Sequence, residues 1–245
     1  MKEVTLNKEK INLLCLTFAG GNKYSYREFF QHAPPFINVI TKEYPGRGSR
    51  IREKLITEMP VLVDDLYAQV KDIVEKGKYA IYGHSLGGLM ACLLTLKLLQ
   101  NKHALPEHLF ITGTSGPSAP ARLEKKRHLL PKDDFIKEIK DLGGMPDEIL
   151  QSEQLLNYLE PILRSDFKVS ETFSYEDHPP LNIPITVITG TEEDMEKDDI
   201  LLWQKESSIP VDFMQMPGGH FFIFDHRDKV VDVISNKLLN TSVIN

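Results

Sequence analysis

Gly83-His84-Ser85-Leu86-Gly87 sets a serine between two glycines in the pattern G-x-S-x-G. A serine hydroxyl is too weakly acidic to attack a carbonyl unaided, so a histidine must accept its proton and later return it to the leaving group. Eight histidines are available. His220, in "MPGGHFFIF", follows the last strand-like run and is preceded by glycines, which suits a loop that carries a base above a sheet. His84 lies inside the serine turn and reads as a residue that packs or donates a local hydrogen bond. His226 falls near the start of a closing helix, and His32, His103, His108, His128 and His178 read as surface residues or as part of a covering segment.

A carboxylate must hold the far nitrogen of the base in the right tautomer. "GTEED", after the run "VITG", offers three in a row. Counting three past Gly190 gives Glu193, whereas a preference for the shorter, stiffer side chain gives Asp194. They precede His220 by 27 and 26 residues, and both stay open with Asp194 narrowly favoured. The Leu86 N–H, at the start of the following helix, can point at a developing oxyanion. The loop "FAGG" supplies a second candidate donor, the Ala19 N–H.

These groups need elements that bring them together. "INLLCLTF" reads as a buried strand entering a loop, "FINVITKEYPGRG" as a second strand stopped by Pro45 and Gly46, and "YAIY" as a third that leads into the serine turn. Between Met59 and Lys76, Val61, Leu66, Val70, Ile73 and Val74 recur at roughly helical spacing. Leu86 to Gln100 is apolar nearly all round, as expected of a helix packed beneath a sheet. "HLFITG", "IPITVITG" and "VDFMQM" give further strands, "LLWQKES" and "RDKVVDVISNKLL" further helices. From about 115 to 180 the residues turn charged and helical with no convincing strand, which marks an insertion. Strand and helix alternate on both sides of it, so the expected class is α/β with a mostly parallel sheet flanked by helices, a single domain over residues 1–245.

Composition narrows the classes further. Apolar residues make up 41% and charged residues 26%, a globular balance that excludes a disordered chain or a membrane-embedded one. Net charge is −6, which argues against broad nucleic-acid binding. The start "MKEVTLNKEK" lacks the apolar stretch of a secretory signal, so the expected location is the cytoplasm, where the "NTS" at Asn240 would not be glycosylated. Cys15 and Cys92 fall in apolar runs and read as small buried hydrophobes. No metal site is expected.

"FAGG", "YPGRG", "GHSLGG", "HLLPKDDFIKEIKDLGGMPDEIL", "LEPILRSDF" and "PGGHFFIF" occur in an order that resembles the type II thioesterases of nonribosomal peptide and polyketide assembly lines. "LGGMPDEIL" and "LRSDF" weigh most, because generic hydrolases share only the serine turn and the histidine loop. The resemblance implies an α/β-hydrolase fold with a helical lid at about 115–180, Ser85 as nucleophile, His220 as base and the "GTEED" loop as source of the acid. The family usually has Asp followed closely by proline there, whereas Met195 follows Asp194 in this chain.

The implied reaction is hydrolysis of acyl groups from the phosphopantetheine arm of carrier proteins, which clears misprimed or stalled units. The enzyme would need no cofactor of its own, because the partner carries the pantetheine. It would act in trans on acyl or peptidyl carrier domains, most simply as a monomer. Leu142, Met145, Ile149, Leu155 and Leu159 could line an acyl pocket, and Arg47, Arg50, Arg52, Lys125, Lys126 and Arg127 could meet an acidic carrier. Two rivals share the same residues: a lid-bearing carboxylesterase or lipase acting on oxygen esters, and an inactive hydrolase fold used for binding.

Overall fold

The computed structural model of the chain describes residues 10–241. Most of "MKEVTLNKEK", and the Ser that completes "NTS", lie outside those residues. Six strands form one sheet: β1 (Ile11–Leu16), β2 (Ile37–Lys42), β3 (Tyr79–His84), β4 (Leu109–Thr112), β5 (Ile185–Gly190) and β6 (Asp212–Met216). Their order is β2-β1-β3-β4-β5-β6 and every pairing is parallel. Parallel strands need crossover connections, and helices on both faces bury them. β1, β3, β4 and β5 are accordingly almost wholly buried and read as continuous apolar runs.

On one face lie α1 (Met59–Val74) and α2 (Leu86–Gln100), whose buried Leu66, Val70, Leu89 and Leu94 pack with Leu14 and Ile81 of the sheet. α2 buries ten of its fifteen residues, which explains its apolar residues on every side. On the other face, the single turn α7 (Phe222–Asp225) and α8 (Arg227–Thr241) contribute Phe222, Val230, Ile234 and Leu238 to a cluster with Leu13, Tyr26, Tyr82 and Phe110. "LLWQKES" is only partly α-helical: α6 (Lys197–Leu201) gives way to a 3₁₀ turn at Leu202–Glu206.

The segment between β4 and β5 contains α3 (Lys132–Leu142), the single turn α4 (Asp147–Leu150) and α5 (Glu153–Glu171). It has its own small core of Phe135, Ile139 and Leu163, separate from the two clusters that cover the sheet. Both cysteines are buried, but Cys92 is more than apolar filling. Its thiol donates to Glu206 Oε2 at 3.5 Å, and His178 Nε2 lies 2.9 Å from the same oxygen. His108 departs from the surface reading: it is buried, stacked on Phe110 and 2.9 Å from Thr186 Oγ1. Among the described residues no helix is long and apolar enough to cross a membrane.

Candidate active site

The parallel sheet delivers the chemistry to one edge, because the C-terminal ends of its strands all open the same way. Ser85 sits between β3 and α2 with φ 55° and ψ −118°, a conformation that costs a non-glycine residue on the order of 1–3 kcal/mol. The turn is held from all sides. The Ser85 N–H donates to Thr112 O at 2.8 Å on β4, and a Cβ on Gly87 would meet Leu16 O of β1 at 2.1 Å. Only glycine lets α2 approach β1 this closely. Ser85 caps α2 without using its side chain, so the hydroxyl is free to face the neighbouring loop.

There the Ser85 hydroxyl donates to His220 Nε2 across 3.0 Å, and His220 Nδ1–H donates to Glu193 Oε1 across 2.7 Å. Glu193 Oε2 accepts the Gly190 N–H at 2.7 Å, so both carboxylate oxygens are engaged and the group is 3% exposed. The loops carrying Glu193 and His220 are stitched together: Thr191 N–H donates to Met216 O and Glu192 N–H to Gly218 O.

The narrow preference for Asp194 is reversed on this geometry. Its side chain is 92% exposed and accepts from Lys125 Nζ at 2.6 Å, and that ammonium lowers its pKa. In the tight turn after β5, the third residue points inward and the fourth outward.

His84 is fully buried beneath the base, with ring centroids 4.9 Å apart, and its Nδ1 lies 3.0 Å from Thr112 Oγ1. Burial, reinforced by neighbouring His220, holds its pKa well below the ordinary histidine range. His84 is thus held neutral beneath the His220 ring.

Ser85 and His220 open onto a cavity of about 940 Å³ that also admits Leu86 and Ala19. Of the five residues expected along an acyl pocket, Leu142, Met145, Ile149 and Leu159 line it. Leu155 does not: it is 42% exposed on α5. Phe18, Leu163 and Phe221 also line it, and nothing in their sequence spacing singles them out.

The six basic residues are mostly engaged within the chain. Arg47 is buried against Asp166, Arg50 bridges Glu53 and Asp65, Arg127 faces Glu138, and Lys126 donates to Glu171 O. Arg52 is exposed.

Residues 11–238 match the Thioesterase domain family. The chain belongs to that family. This thioesterase is 31% identical to Thioesterase PikA5 of Streptomyces venezuelae, over 94% of this chain and 82% of that protein. Among solved structures it is similar to ClbQ from the colibactin NRPS/PKS pathway, with a TM-score of 0.91, 31% identity and coverage of 97% of this chain and 100% of that one. The type II thioesterase BorB from the borrelidin biosynthetic cluster gives a TM-score of 0.85 at 27% identity, covering 94% and 93% of the two chains.

Proposed function

We propose that this thioesterase removes acyl groups from the phosphopantetheine arm of carrier domains in a nonribosomal peptide or polyketide assembly line. The observation that carries the reading is the unbroken chain of hydrogen bonds Ser85–His220–Glu193 at the mouth of a cavity with an apolar wall. Relatives named for such pathways support the substrate class.

In this mechanism Ser85 Oγ attacks the thioester carbonyl while His220 Nε2 takes its proton. Glu193 keeps the other ring nitrogen protonated and stabilises the imidazolium. The N–H groups of Leu86 and Ala19 receive the oxyanion, and as the acyl-enzyme forms the pantetheine sulfur leaves and takes up the proton held by His220, which returns that ring to its neutral form. A thiolate is a good leaving group, so His220 matters most in the second half, where it deprotonates the water that attacks the acyl-serine. Helices α3 to α5 serve as a lid whose inner face receives the acyl chain.

Incubating the protein with an acyl-loaded carrier protein and weighing the carrier by mass spectrometry tests the proposal. The expected result is loss of the acyl mass with return of the free pantetheine thiol, abolished in Ser85→Ala. Equal turnover of simple oxygen esters would overturn the carrier-directed reading in favour of a general esterase.

A further inference from the structure

We propose that the buried ion pair Arg47–Asp166 is a positioning device for the oxyanion donor Ala19, acting through the Gly20 peptide; this rests on the role assigned to Ala19 above. Asp166, on α5, accepts the Gly20 N–H at 2.7 Å and Arg47 Nη1 at 2.5 Å through Oδ2, and Arg47 Nη2 at 2.7 Å through Oδ1. Arg47 Nη1 also donates to Gly21 O at 3.3 Å. The two side chains are 4% and 2% exposed. Arg47 lies over the ring of Tyr44, whose hydroxyl donates to Thr17 O at 3.0 Å. The loop is therefore gripped at Thr17, Gly20 and Gly21, on either side of the donor.

Phe18 to Gly21 form a turn closed by Gly21 N–H to Phe18 O at 2.9 Å, with Gly20 at φ +78°. That is the type II arrangement, which differs from the commoner type I in the facing of its central peptide, here the one between Ala19 and Gly20. The Asp166 carboxylate takes the N–H of that peptide and so selects its facing. The donor N–H belongs to the adjoining peptide, which shares the Ala19 Cα, so its direction is fixed as well.

Stability alone gives little reason for the pair. An apolar replacement of a buried ion pair is often neutral or stabilising, whereas fixing one geometry is a use such pairs can serve. α5 already packs on the loop through Leu163, whose Cδ2 is 2.6 Å from where a Gly20 Cβ would stand. Because α5 belongs to the segment over the cavity, seating that helix and aiming the donor become one event.

Three variants test this. Ala19→Pro deletes the donor hydrogen at a turn position that proline favours, and should lower kcat about 100-fold. Arg47→Met/Asp166→Leu replaces the pair by apolar groups; it should keep its Tm and KM while kcat falls about 10- to 100-fold. Arg47→Met/Asp166→Asn returns an uncharged acceptor to Gly20 and should recover most of the loss. In the Ala19→Pro background the apolar pair should have no further effect, since both act on one hydrogen bond.

Full kcat in the apolar variant, or an equal fold-loss in both backgrounds, overturns the inference. An Ala19→Pro variant with unchanged kcat instead removes the donor assignment itself. Should the apolar pair fail to fold, Arg47→Met/Asp166→Ala, which also leaves Gly20 without an acceptor, is run through the same cycle and decides the matter.

Discussion

Glu193 and Asp194 are adjacent carboxylates with opposite fates. One has both oxygens bound inside the site and the other salts to Lys125 in solvent. Glu193→Gln should lower kcat about 10,000-fold, because the amide can present the wrong group to His220 Nδ1 and trap the wrong tautomer. Asp194→Asn should change kcat by less than about twofold, as expected of an exposed ion pair. Steady-state kinetics on an acyl-pantetheine substrate, with circular dichroism to verify folding, read both outcomes.

The turn between β3 and α2 works only if α2 can lie against β1, and backbone, not side chain, sets that contact. A methyl group at Gly87 has the Leu16 carbonyl in its way and no flexible neighbour to move. Gly87→Ala should cost about 3 kcal/mol in denaturant unfolding or displace the serine. Gly77→Ala, where nothing lies within 4 Å, is the control and should change stability by less than about 0.5 kcal/mol. Leu159 of α5 lines the cavity, where the proposed acyl chain would lie. Leu159→Trp should raise KM for the longest accepted acyl chain by about 10-fold or more while short chains are still hydrolysed, because lost apolar fit is worth that much.

Acid sensitivity belongs to the whole molecule, since it compares the folded protein with its unfolded chain. Burial pushes the His108 pKa down to about 4, and His84 is held low in the same direction. Below about pH 6.5 the unfolded chain binds protons at these rings and the folded protein does not, so stability falls as pH drops. For His108 the loss runs on the order of 1 kcal/mol per pH unit between about 6.5 and 4, and levels off below its folded pKa. Urea midpoints taken from pH 7.5 to 4.5 should show the decline, and His108→Gln should make it shallower by about one proton. An unchanged slope would show that His108 does not contribute.

Periodicity and turn residues were enough to read the alternation of strands and helices, because a parallel sheet covered on both faces writes itself as short apolar runs between amphipathic ones. The serine and its histidine were legible for a similar reason: each stands in a glycine-marked turn directly after a strand. The choice between Glu193 and Asp194 was not, since neighbouring residues differ by which way a turn aims them, and that depends on Gly190 and on the loop holding His220. Arg47 and Asp166 were equally hidden. They are 119 residues apart, and a charge reads as surface until the fold shows what it is buried against.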